Sequence, residues 1–218
     1  MAFRGWKAEA IEFYEGLEAD NSRTYWQQHK AEYEELVLHP MQELLTQLAG
    51  EFGEGNVFRP YRDVRFSADK APYKTAIAAM IGGIGYVQFS AAGLATGSGY
   101  WMMATDQLER YRHAVADDTS GSSLTAIAAA AAKAGMQVTA HESLKSAPRG
   151  YPKDHPRIEL LRLKGLITWR EWPPAAWMGT AKAAERVVGF LRASAPLRGW
   201  LDEHVGASTL PPPERSPR

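Results

Sequence analysis

The stretch YVQFSAAGLATGSGYWMMA, residues 86–104, decides how this chain folds. Two runs of strand-forming residues, YVQFSA and ATGSGYWMMA, pair as a hairpin. Gly93, Gly97 and Gly99 give the backbone the freedom that tight turns and bulges need. Working outward, NVFRPYRDVRF (56–66) predicts one or two short strands. PYKTAIAAMIGG (72–83) predicts a turn followed by either a strand or a short helix. MQVTA (136–140) and LITWREW (166–172) add two more strands. Strands and helices show no regular alternation. The class is therefore α+β, an antiparallel or mixed sheet packed against N-terminal, middle and C-terminal helices.

The helices follow from periodicity. Trp6, Ala10, Phe13 or Tyr14, and Leu17 recur every three to four residues, the spacing of one helix face. Asn21 or Ser22 supplies the cap of the next helix, whose stripe runs from Trp26 through Val37 and Leu44 to Phe52. Pro40 removes a donor and disfavours a helical His39, which predicts a break or kink there. TDQLERYRHAVADD (105–118) is a helix capped by Thr105 or Asp106, with Asp117 and Asp118 read as solvated loop. SLTAIAAAAAKAG (123–135) is another, ending at Gly135. A short helix covers 157–163, and the final helix breaks near Pro196. The expected organisation is one domain over 1–208 and a disordered proline-rich tail over 209–218.

Composition removes several functions. Of 218 residues, 45% are hydrophobic and 23% charged, ordinary for a globular domain, and the formal net charge is zero. A neutral chain lacks the field of a protein that coats nucleic acid, which makes nucleic acid an unfavoured partner. With no cysteine, disulfides, thiolate nucleophiles and iron–sulfur clusters are excluded. Arg4, Lys7, Glu9 and Glu12 interrupt the start where a signal peptide would be apolar, and no window approaches the ~18 apolar residues of a membrane span. The expectation is a cytoplasmic protein without a membrane partner. Lys74-Thr75 lacks the glycines of a phosphate-binding loop, and Ser98 lacks the outer glycines of a nucleophile elbow. The six histidines form no H-x-x-x-H pair, so no metal site is assigned, and no motif names a cofactor.

The cations are clustered. Residues 59–75 hold five of the chain's 25 Lys and Arg, and residues 145–164 hold six. Arginine offers a planar donor fork for phosphate or carboxylate, and lysine a mobile point charge. Arg62, Arg65, Lys70, Tyr73, Lys74, Arg149 and Lys153 are the ligand-binding candidates. Asp63, Asp69, Asp154 and His155 are the candidates for acid–base chemistry, His155 because its ordinary pKa lies near 6.5. Pro60, Pro72, Pro148, Pro152 and Pro156 would hold these loops still. The competing reading of each is plain: Asp63 and Arg65 flank Val64 and would pair, and His155 would cap the helix that follows.

YRDVRFSADKAPYKT (61–75), GSGYWMM (97–103) and LKSAPRGYPKDHPRIELLRLKG (144–165), in this order after two N-terminal helices, closely resemble the domain-of-unknown-function 2461 family. The resemblance covers residues 3–205. It implies a shared fold and motif positions at Arg62, Asp63, Arg65, Phe66, Ser67, Asp69, Lys70, Pro72, Tyr73, Lys74 and Thr75. The second motif contributes Pro148, Gly150, Lys153, Asp154, His155 and Pro156. The family has no established activity, so the resemblance implies no reaction. The leading expectation is a small anionic ligand, a phosphorylated metabolite or nucleotide, with enzyme and receptor both open. Binding of single-stranded nucleic acid through basic and aromatic segments is one alternative. An interaction module built on the seven tryptophans is the other.

Overall fold

The computed structural model describes residues 3–65 and 67–211. In chain order the strands are β1 (Gly55–Val57), β2 (Ala76–Ile81), β3 (Gly85–Ser90), β4 (Gly93–Tyr100), β5 (Gln137–Thr139) and β6 (Leu166–Trp172). They form an antiparallel sheet ordered β1-β2-β3-β4-β6-β5, and with the helices this is the expected α+β class. The segment 72–83, open between strand and helix in the sequence, is the strand β2. The chain divides into two compact units. The first holds the described residues up to 97 together with 170–192, the second 98–169 and the described residues from 193 onward.

In the first unit, α1 (Ala8–Ala19) buries Ala10, Phe13, Tyr14 and Leu17, the stripe predicted by spacing. Trp6, just before it, stacks on Phe89 of β3 at 4.7 Å and donates its indole N–H to the Val37 carbonyl at 3.3 Å. Ser22 caps α2 (Arg23–Glu32) by accepting from the Tyr25 N–H. No break occurs at Pro40. A π-helical turn, Tyr33–Leu38, leads directly into α3 (His39–Phe52), and the His39 N–H reaches back five residues to the Glu34 carbonyl. The wider turn puts the proline in the first turn of α3, where a missing donor breaks nothing. Met41, Leu44, Leu45, Leu48 and Phe52 then bury one face of α3. Each such side chain contributes about 1.5–3 kcal/mol on full burial.

The one or two short strands expected over 56–66 are the three-residue β1 and a single bridge beyond it. The ladder ends with Val57, is extended by one bond from Phe58 N–H to the Ala78 carbonyl, and returns only as an isolated bridge between Tyr61 and Tyr73. Pro60 cannot donate to a ladder, which is the physical reason. Phe66 lies outside the described residues.

In the second unit, α4 (Thr105–Ala116), α5 (Asp118–Lys133), the short α6 (Ile158–Leu161) and α8 (Ala195–His204) enclose a core that includes Tyr111, Leu124, Leu161, Leu166 and Trp200. The preceding helix, α7 (Lys182–Ala193), ends before Pro196 as expected. Neither Thr105 nor Asp106 caps α4. Ala104 holds that position, and its N–H donates to the Gln107 side chain. Asp106 instead accepts from the Thr209 N–H and the Ser208 hydroxyl, so the first residues of the expected tail are bonded. Residues 212–218 of that tail lie outside the described residues. Asp117 and Asp118 are exposed, as expected, and Asp117, where α4 ends, also caps α5 by accepting from the Thr119 and Ser120 N–H groups. Among the described residues no helix is long and apolar enough to cross a membrane.

Candidate functional site

The site in the first unit begins with strand register. Ala78 lies opposite Gln88, and Met80 opposite Tyr86, so these four share one face of the sheet. Ile77, Ala79 and Ile81 point the other way, into the core with Val87 and Phe89. Alanines at 76 and 78 are too small to fill the open face. A groove of about 640 Å³ lies there, lined by Phe58, Tyr86, Gln88, Asn21, Tyr73 and Lys74, with Arg62 and Asp69 also on its surface.

Tyr73 is held from three directions. The Asn21 side chain donates to its carbonyl at 3.1 Å and accepts from its N–H at 3.1 Å. The Trp26 indole stacks on its ring at 4.4 Å with only 10° between the planes. Flanking bonds from Arg62 N–H to the Pro72 carbonyl and from Lys74 N–H to the Pro60 carbonyl close the loop between them.

Inside that loop the charges answer one another. Arg65 forks onto both carboxylate oxygens of Asp63, at 2.9 and 2.7 Å. Arg62 pairs with Asp69, whose other oxygen accepts from the Ala71 N–H at 2.9 Å. Lys70 donates to the Val64 carbonyl at 3.0 Å. The Arg65 hydrogen bonds hold Asp63 down at about 2. The Ala71 N–H and then Arg62 hold Asp69 below its ordinary value.

Lys74 is different. Its ammonium lies over the Phe58 ring, 5.6 Å from the centroid, and no carboxylate stands within ion-pair distance among the described residues. Partial burial, and secondarily Arg59, lowers its pKa from the ordinary lysine value. At the Asn21 end the groove is edged by the exposed carboxylate of Glu18.

The second motif lies in the second unit. Arg149, Lys153 and Asp154 are exposed and have no partner among the described residues. Their loop is folded by two turns, Tyr151 N–H to the Pro148 carbonyl and His155 N–H to the Pro152 carbonyl. His155 accepts from the Arg157 N–H through Nδ1 at 3.0 Å, just ahead of α6. Arg157 donates to the carbonyls of Val115, Ala116 and Asp117 where α4 ends, and to Asp118. Gly121 makes room for it, since a Cβ there would stand 2.5 Å from its Nε. Arg162 donates to the Leu144 and Lys145 carbonyls and to Glu159. Lys164 pairs with Glu142.

The structure thus gathers Arg62, Asp63, Arg65, Asp69, Lys70, Tyr73 and Lys74 in the first unit. It gathers Arg149, Lys153, Asp154 and His155 in the second. Sequence reasoning missed Asn21 as a clamp, and Phe58, Tyr86 and Gln88 as walls. The signal available was the period-2 pairing of Tyr86 with Gln88 beside a strand carrying alanines. Among the described residues no group of three or more acidic or histidine side chains is arranged to hold a metal ion.

Comparison with curated proteins and with solved structures returned no match. The model of a family described as a conserved hypothetical protein, DUF2461, matches residues 9–200, a span that contains both long motifs and the groove. The chain belongs to the DUF2461 family.

Proposed function

We propose that the first unit is a receptor for a small phosphate-bearing ligand, a phosphorylated metabolite or a nucleotide, held in the groove over Ala76 and Ala78. One observation carries this reading. Lys74 is a partly buried cation that faces the groove with no carboxylate to neutralise it, while every other cation of the 62–74 loop has a partner. Keeping such a charge uncompensated costs stability, and an anionic ligand offsets that cost. The size of the groove falls in the usual range for small-molecule sites, about 300–1,000 Å³. Phe58, 37% exposed, adds an aromatic wall.

The paired carboxylates argue for binding over catalysis. A general base works best with a pKa near the working pH, and Asp63 is held at about 2 by Arg65. The reading takes the cytoplasm as its setting, where phosphorylated metabolites are concentrated. Its test is calorimetric titration with inorganic phosphate, AMP and a hexose phosphate. Lys74→Ala is expected to weaken binding roughly ten- to hundredfold, the loss of one charge-assisted hydrogen bond. Absence of binding by all three probes, or equal affinity in the variant, overturns the reading.

A further inference from the structure

We propose that Gln88 selects the head group of the ligand: its amide is fixed with the N–H donors presented to the groove, so that a phosphate is gripped between Lys74 and Gln88. The inference rests on the anion-receptor reading above and names the partner of Lys74 within it.

The argument starts from what an amide can do. Glutamine offers an accepting oxygen at one end and two donating hydrogens at the other, and a hydrogen bond donated to it falls on the oxygen. Tyr86, two residues earlier on β3 and on the same face, donates its hydroxyl to Gln88 Oε1 at 2.7 Å. The Gln88 nitrogen is thereby left as the free end, with no partner among the described residues. Gln88 stands opposite Ala78, so no side chain from β2 intervenes. The Lys74 ammonium lies 5.6 Å from the Phe58 ring centroid, the Phe58 centroid is 6.5 Å from that of Tyr86, and all of these side chains line the one groove with Gln88.

Lysine and an amide whose oxygen is taken by Tyr86 both contribute N–H donors to the lining of the groove. Such a set suits a phosphate monoester, whose terminal oxygens only accept, and discriminates against a head group that must donate. Tyr86 acts through Gln88 and is a positioning residue.

The experiment is titration of AMP, with adenosine as the phosphate-free control, into the wild-type protein and into Gln88→Leu, Gln88→Glu, Tyr86→Phe and the Tyr86→Phe/Gln88→Leu double variant. Thermal melting checks each fold. Gln88→Leu is expected to weaken AMP binding about tenfold and leave adenosine unchanged. Gln88→Glu, nearly isosteric, sets a like charge against the phosphate and weakens it about a hundredfold, and it decides the matter if the leucine variant does not fold. Tyr86→Phe is expected to cost about threefold alone and nothing further once Gln88 is leucine, a coupling that a merely structural role would not produce. Unchanged AMP affinity in both Gln88 variants, with Lys74→Ala still impaired, overturns this inference and leaves the receptor reading standing. No AMP binding by the wild-type protein overturns both.

Discussion

The two cation-rich segments look alike in sequence and are used differently. In residues 62–74 the arginines face carboxylates a few positions away, Arg65 on Asp63 and Arg62 on Asp69, and a single lysine is left over in a groove. In residues 145–164 Arg157 and Arg162 face chiefly backbone, the carbonyls ending α4 and those of Leu144 and Lys145, each with one further carboxylate, Asp118 and Glu159. The cations left over there, Lys145, Arg149 and Lys153, are exposed to solvent. A count of positive charge therefore does not locate a site. What distinguishes Lys74 is the combination of partial desolvation, an aromatic neighbour and the want of an acid.

The sharpest way to break this contrast is to remove a cation of each kind from the second segment. Arg157→Ala is expected to destabilise the protein by about 3 kcal/mol in denaturant titrations, since the side chain is only 13% exposed and its loss strands several carbonyls. Lys153→Ala is expected to change stability by less than ~0.5 kcal/mol. Equal effects would erase the distinction between structural and idle cations. Next in size, Asn21→Ala loses both bonds to the Tyr73 backbone and is expected to cost about 2 kcal/mol, with AMP affinity falling alongside. A stability loss without any change in affinity would separate the clamp from the groove.

Acid titration sharpens the comparison further. The folded value of Asp63, about 2, lies below its ordinary 3.8, so its pair with Arg65 stabilises the fold above 3.8. That contribution is lost as the pH falls toward 2. Asp63→Asn is expected to flatten the acid limb of a stability–pH curve in that window. The smallest expected effect is at Glu18. Removing its exposed charge with Glu18→Gln should raise AMP affinity two- to threefold at low salt, an estimate of roughly 0.5 kcal/mol that fades as salt screens it.

Much of the fold was legible because it rests on local chemistry. The α1 stripe, the hairpin of β3 and β4, and the glycine end of α5 at Gly135, with φ of 74°, are each set by residues adjacent in the chain. The break expected at Pro40 is replaced by the π turn just before it. The α4 cap was misread because Asp106 is taken by Ser208 and Thr209, 102 and 103 positions away, while Ala104 and Gln107 close the helix start. At the site, the motif was visible and its division of labour was not. That Asn21 would serve Tyr73 across 52 positions, and that Gln88 would stand over alanine, depends on strand register, which no window of sequence displays.

The π-helical turn at Tyr33–Leu38 has a bearing on all of this. It carries one residue more than an α-helix of the same span would, and so works as a phase shifter between two rods. Trp26 and the Met41–Leu44 stripe lie on opposite sides of that extra residue. Deleting a single position within the turn would rotate Trp26 by about 100° about the helix axis relative to Leu44. The indole would swing off Tyr73, and that lining residue beside Lys74 would lose its stacking partner without a single groove residue having been replaced.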